Sequence, residues 1–180
     1  MTYLRDPVNR FISEWMHVRR GAYWPKEYLC NGRNATPSEL PSHNLGFNRM
    51  TRMLANLSLV NCYNRTGLSK DFVDKTLLNS AKENLRAMEF FGLTEEQEKS
   101  QFLFEVTFGV LLAKRTVRHE LTVASTVQIT DEMLSVIKDN NLLDIELYSF
   151  AQELFTQRVV EAETRLGFNT SIYFKRRFFD

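Results

Sequence analysis

An α/β fold, helical for most of its length, is what this sequence predicts, and three observations carry the prediction. A short apolar run over residues 1–4 reads as the end of a strand and turns directly into a helix opened by Pro7, where the missing amide proton costs nothing. Further on, Phe90-Phe91-Gly92-Leu93 holds a short buried strand, and Thr94-Glu95-Glu96-Gln97 follows it as a capping box ahead of another helix. Strand, tight turn and capped helix form the α/β signature. Through most of the remaining chain, apolar residues recur at helical spacing.

The first helix is expected over about 7–20. Phe11, Trp15 and Val18, with Ile12 and Met16 beside them, form an apolar stripe expected in the core. Arg10, Ser13, His17 and Arg20 recur at spacings of three and four as its polar face. Gly21 is a helix stop. Residues 22–45 hold three of the four prolines and read as a long loop. A second helix is expected from Phe47 to Leu59, with Met50, Met53, Leu54 and Leu57 apolar and Arg49 and Arg52 basic; Asn61-Cys62-Tyr63-Asn64 breaks it. Ser69 is the N-cap of a third, which reaches about Leu85 and turns Phe72, Leu77 and Leu78 inward. The helix after the capping box carries Phe102, Leu103, Val106 and Phe108. Residues 110–126 read as a loop with Lys114, Arg115, Arg118 and His119.

Thr130 starts a helix to about Asn140, and Asn141 starts the last one, which ends near Gly167 and places Leu143, Ile145, Leu147, Phe150, Ala151, Leu154, Phe155 and Val159 inside. The expected division is one domain portion over 1–168 and a basic, aromatic tail over 169–180. In that tail, Tyr173 to Phe179 forms an edge strand, a binding tail or a partly ordered terminus. A natural domain seldom begins inside a strand–helix unit, so a fragment or truncated chain is expected.

Composition bounds the function. A chain of 180 residues is long enough for one domain with a core. Its net charge of +1 means that no global field draws it to nucleic acid, so a polyanion site has to be a local basic patch. No stretch approaches the roughly 20 apolar residues of a membrane span. No Cys-x-x-Cys or His-x-x-x-His spacing indicates a metal. Four Asn-x-Ser/Thr sequons, headed by Asn34, Asn56, Asn64 and Asn169, lean toward a secretory compartment. The two cysteines, Cys30 and Cys62, have two readings. One is a bridge closing a loop of about 30 residues, which contributes about 3–4 kcal/mol in the chain-entropy account; the other is two buried thiols.

The chemistry concentrates near the start. Arg5 stands just before the helix opened by Pro7, and Ser13 lies eight residues on, about two helical turns into it. A guanidinium fork and a hydroxyl placed this way can converge on one phosphate.

Several segments then agree with one family. They are Leu4-Arg5-Asp6-Pro7-Val8 with Ser13-Glu14-Trp15 and His17-Val18; Cys30 with Gly32-Arg33; Arg52-Met53-Leu54-Ala55 with Leu57-Ser58-Leu59-Val60; Cys62-Tyr63-Asn64; Phe90-Phe91-Gly92-Leu93-Thr94-Glu95; and Leu103-Phe104-Glu105 with Thr107-Phe108. On these the chain resembles, collinearly to about Arg158, the heparan sulfate 6-O-sulfotransferases. These Golgi enzymes move a sulfuryl group from 3′-phosphoadenylyl sulfate to the 6-hydroxyl of glucosamine.

The resemblance implies a P-loop-type sulfotransferase fold, N-terminally truncated and mostly helical in the part present. It implies that Arg5 and Ser13 hold the 3′-phosphate of the donor, and that His17 and Trp24 contact the sugar chain. Of the family's late Thr-Arg-Ala-Gly loop, only Thr122 carries over as a donor contact, because Thr122-Val123-Ala124-Ser125 stands there. The Gly-rich phosphate loop and the catalytic histidine would lie upstream of Met1. No catalytic residue is therefore assigned in this chain, and neither His43 nor His119 takes that role. The residue 22–45 loop is shorter than the family's and lacks its extra cysteines. No metal is implied. The expected setting is the Golgi lumen, with a type II membrane anchor outside this chain and a heparan sulfate chain as partner. The alternative is a non-catalytic luminal module that binds sulfated glycan through Arg19, Arg20, Arg49, Arg52 and the Lys114–Arg118 cluster.

Overall fold

Asp6 decides how the chain leaves its first strand. Its side chain accepts the amide of Asn9 at 2.9 Å and caps α1 (Pro7–Arg19), with Pro7 in the first turn where no amide is needed. The computed structural model describes residues 1–21, 29–30, 33–34, 46–116 and 128–178. β1 (Thr2–Leu4) precedes α1; β2 (Leu29–Cys30) and β3 (Arg33–Asn34) pair antiparallel after it, within the stretch expected to be loop. Then come α2 (Arg49–Leu54), a 3-10 turn over Leu57–Val60, and α3 (Lys70–Ala87), which is capped by Ser69. β4 (Phe91–Leu93), α4 (Gln97–Phe108), α5 (Asp131–Asn140), α6 (Leu142–Leu166) and α7 (Thr170–Phe178) complete the order.

β1 and β4 are parallel, pairing Thr2 with Phe91, Tyr3 with Gly92 and Leu4 with Leu93. A Cβ on Gly92 would sit 2.4 Å from Cε1 of Tyr3, so the tyrosine ring occupies the space a larger residue would need. α6, about 37 Å long from its 25 residues, runs through the core, where Leu147, Ala151, Phe155 and Val159 are buried. Phe90, Phe91, Phe102 and Phe155 are almost fully buried, each worth about 1.5–3 kcal/mol of transfer free energy. Phe91 lies 6.1 Å from Phe155, and Phe90 meets Tyr3, Phe104 and Phe108 at 5.3–6.2 Å. Phe108 is therefore anchored by rings although it is 44% exposed.

Five expectations need correction. The helix expected from Phe47 to Leu59 is two pieces. Ala55 is extended, and the broken ends are satisfied from α3: Ser80 Oγ accepts the amide of Asn56 at 2.9 Å, and Asn84 Nδ2 donates to Leu54 O at 2.7 Å. The Thr94 capping box does not form. The amide of Thr94 donates to Leu4 O at 2.9 Å, its hydroxyl goes to Glu95, and the helix begins only at Gln97. Phe72 is half exposed, while Val73 takes the buried position. On α1, Pro7 and Ile12 are buried; Trp15 and Val18 are exposed. Phe11, Ile12 and Trp15 instead line an apolar groove of about 390 Å³ with Met133, Val136 and Ile137 of α5.

The fifth correction is the tail, where residues 170–178 form α7 in place of a strand or frayed end, and α6 is not the last helix. Asn169 Oδ1 accepts the amide of Ile172, Glu163 accepts both the amide and hydroxyl of Thr170, and Phe174 is buried. Glu105 of α4, itself buried, accepts from Tyr173 Oη at 2.7 Å, Arg177, Gln101 Nε2 and the Leu112 amide. Burial opposes the charged form of Glu105, but these four donors outweigh it and hold its carboxyl below the ordinary range.

Candidate functional site

The site is built where α1, α2 and α6 begin. α2 starts at Asn48, which adopts a left-handed backbone (φ 47°). Asn48 Oδ1 accepts the amides of Leu143 and Asp144 at 3.0 and 3.2 Å and so caps α6. Asp144, fully buried, returns the favour to α2: its carboxylate accepts the amides of Met50 and Thr51 at 3.0 and 2.8 Å and the hydroxyl of Thr51 at 2.8 Å. Asn141 Oδ1 accepts the amide of Asn48 at 3.1 Å and Nη2 of Arg10 at 3.2 Å. Arg10 thereby ties α1 to the junction. It also donates to Glu14 at 2.5 Å and to Gly46 O at 2.6 Å, and its Nε lies 3.7 Å from Asp144.

Above this junction opens a cleft of about 490 Å³. Arg5, Arg10, Ser13, Glu14, His17 and Arg49 line its polar side, and Tyr3, Met50, Met53, Leu54 and Met88 its apolar side. Glu14 stands between two guanidiniums, 2.5 Å from each of Arg10 and Arg49. Three arginines against one carboxylate leave the cleft cationic. The arginines are not equivalent. Arg10 is committed to the junction and Arg49 to Glu14, whereas no described residue hydrogen-bonds or ion-pairs with the side chain of Arg5. The side chains of Ser13 and His17 likewise have no such partner among the described residues. The arrangement can receive an anion on Arg5 and Ser13, with an apolar wall beside it for the rest of a ligand.

The backbone on each side of Arg5 is fixed. Leu4 O accepts the amide of Thr94 at 2.9 Å, and the amide of Asp6 donates to Glu95 Oε1 at 3.2 Å. Glu95 Oε2 accepts the hydroxyl of Tyr148 at 2.6 Å. Burial, and then the Glu95 carboxylate, push the Tyr148 hydroxyl far above the usual phenol range, so it remains a neutral donor.

The structure thus brings Arg5, just before α1, and Ser13 and His17, one turn apart on it, to one cleft. Arg20, placed on the same polar face, is exposed and does not line it. Trp24 and Thr122 lie outside the described residues, as do Arg118, His119 and His43. Sequence reasoning missed the roles of Glu14, Asp144 and Glu95. Only the first had a local signal, the Arg10–Glu14 spacing of four. Of the sequons, Asn56, Asn64 and Asn169 are exposed; Asn64 Oδ1 accepts the hydroxyl of Thr66 at 2.8 Å, and Asn34 has only its backbone described. Among the described residues no group of three or more metal-ligating side chains occurs, and no helix is long and apolar enough to cross a membrane.

A family model described as the sulfotransferase family matches residues 1–151 of this chain. Heparan-sulfate 6-O-sulfotransferase 3 of Mus musculus is 46% identical over 178 residues, which cover 88% of this chain and 38% of the relative. Heparan-sulfate 6-O-sulfotransferase 2 of Gallus gallus is 44% identical over the same share of this chain and 44% of its own length. Heparan-sulfate 6-O-sulfotransferase 1 of Cricetulus griseus is 43% identical, again over 88% of this chain and 44% of its own. The chain spans about two fifths of the length of these relatives.

Proposed function

We infer the function of this chain from the fact that it belongs to the sulfotransferase family: it is a heparan sulfate 6-O-sulfotransferase chain, and its cleft holds the 3′-phosphate end of the sulfuryl donor 3′-phosphoadenylyl sulfate. The observation that carries this reading is the meeting of Arg5 and Ser13, neither side chain engaged by a described residue, at one cationic cleft. The identity of 43–46% to enzymes named for this activity supports it. The donor fits the residues present, since the cleft offers a guanidinium and a hydroxyl to a phosphate and an apolar wall to its nucleoside.

When bound, the donor supplies the sulfuryl group that passes to the 6-hydroxyl of a glucosamine residue. Arg5 and Ser13 orient the donor and hold charge on its 3′-phosphate. His17, one turn beyond Ser13 at the open end of the polar face, meets the glycan; Trp24 and Thr122 are proposed for the glycan and the donor on resemblance alone. The P-loop form of the fold belongs to the same reading. No residue of this chain is assigned as the base.

Passage through the Golgi lumen, a membrane anchor outside this chain and glycosylation at the four sequons complete the proposal. The exposure of Asn56, Asn64 and Asn169 supports that modification. Pairing of Cys30 with Cys62 is also proposed, supported by the burial of Cys62.

The test is binding of adenosine 3′,5′-bisphosphate to the full chain by titration. Arg5→Ala is expected to weaken it at least tenfold, the loss of about 1.5–3 kcal/mol from a charged hydrogen bond. Equal affinity for both proteins removes Arg5 from the role. The second reading, a non-catalytic glycan-binding module, is favoured by the exposure of Arg19 and Arg20. It predicts that heparan sulfate fragments bind while the bisphosphate does not.

A further inference from the structure

We propose that Glu95 and Tyr148 are positioning residues for Arg5, fixing the backbone of the β1–α1 turn so that its guanidinium enters the cleft in a set direction. This rests on the reading of Arg5 as a phosphate ligand.

Arg5 is held asymmetrically. Its neighbours on both sides are tied to residues 94 and 95, Leu4 through its carbonyl and Asp6 through its amide, while its own side chain has no partner among the described residues. That division holds the backbone and leaves the functional group for a ligand. Asp6 cannot provide the tie itself, because its carboxylate is spent on the amide of Asn9. Glu95 provides it, and its second oxygen is locked by the hydroxyls of Tyr148 and Thr94 at 2.6 and 3.0 Å. Tyr148 is 7% exposed and projects from α6, the helix whose start builds the floor of the cleft. One buried hydroxyl therefore relates the Arg5 turn to the element that sets Asp144 and Asn141.

Phosphate recognition by a guanidinium and a hydroxyl together needs their geometry held to within about 0.5 Å. Ser13 is fixed by α1, which Arg10 binds to the junction. Arg5 precedes that helix: Asp6 joins it to α1, its side chain accepting the amide of Asn9 and its carbonyl that of Arg10, and the 94–95 ties hold the turn from its other side, toward α6.

The experiment titrates adenosine 3′,5′-bisphosphate into the full chain and follows affinity. Glu95→Ala is expected to weaken binding by about tenfold, whereas Glu95→Gln, whose amide oxygen still accepts the Asp6 amide, is expected to stay within about twofold of the wild type. In an Arg5→Ala background, Glu95→Ala is expected to change affinity no further, because a positioning residue has no effect once its target is gone. A residue that only supports the fold would lower affinity equally in both backgrounds, and that additive result overturns the proposal. Unchanged affinity of Glu95→Ala beside a weakened Arg5→Ala also overturns it while leaving the phosphate role of Arg5 standing. Unchanged affinity of Arg5→Ala, or no binding by the wild type, brings down both readings. If Glu95→Ala does not fold, Tyr148→Phe is measured in the same two backgrounds. A loss of about threefold, present only with Arg5, supports the proposal, and no loss or an additive one overturns it.

Discussion

Replacing Asp144 by alanine removes the acceptor that α2 needs in order to begin. The amides of Met50 and Thr51 and the hydroxyl of Thr51 lose their partner, and Arg10 loses a carboxylate 3.7 Å from Nε. Thr51 and Asp144 are fully buried and Met50 is 7% exposed, so bulk water does not take over. A buried donor left unpaired costs about 1–3 kcal/mol, which puts the two amides at about 2–6 kcal/mol. The hydroxyl can rotate to another acceptor, and Arg10 keeps Glu14, Gly46 O and Asn141, so neither adds much. A water entering the vacated space recovers part, leaving an expected loss of about 3–4 kcal/mol. Asp144→Asn keeps one oxygen, enough for the Thr51 amide, and should cost only about 1–2 kcal/mol. Urea denaturation followed by circular dichroism measures both. A loss below about 1 kcal/mol for the alanine variant, or equal losses for the two, would refute the assignment of Asp144 as the cap of α2.

Gly92→Ala brings a Cβ to 2.4 Å from the ring of Tyr3 and should cost about 1–3 kcal/mol, a cost that falls when Tyr3→Ala clears the space; an equal cost in both backgrounds contradicts the close approach. Glu105 has a folded pKa below its ordinary value, so the unfolded chain binds its proton first on acidification. Its stabilisation is present above the ordinary glutamate value near 4.5 and is lost as pH falls through the folded value, so wild-type stability should fall more steeply below pH 4.5 than that of Glu105→Gln. Parallel pH profiles from denaturant titrations would remove Glu105 from that role.

Much of the helical order is legible in the sequence because its signals are local. Pro7 opens α1, Ser69 and Thr130 accept the amides of Phe72 and Met133, and Gly167 closes α6 in the left-handed region. Arg5 and Ser13, singled out from their spacing, both line one cleft. Three of the failures share one cause, a partner distant in sequence. The Thr94 box does not close because the amide that Gln97 would reach is claimed by Leu4, ninety residues earlier, and the Thr94 hydroxyl turns to Glu95. The break after Leu54 is stable because Ser80 and Asn84 arrive from α3. Trp15 faces the groove beside α5 rather than a core, which depends on where residues 131–140 come to lie. The helical tail, like the Arg10–Glu14 pair, was a miss with a local signal available: Asn169 at a cap position and Phe174 and Phe178 four apart.

The reciprocal capping of α2 and α6 bears on the order of folding. A helix of six residues cannot sustain itself, and α2 is completed by a carboxylate 93–94 residues farther along the chain. α6 can grow from its own 25 residues, so it is the template and α2 the element assembled on it. Closing that long span precedes any gain from the junction, which makes it a late event. The floor of the cleft therefore depends on the closure of that span, and a chain in which α2 has not docked on α6 presents Arg5 and Ser13 to no ligand in register.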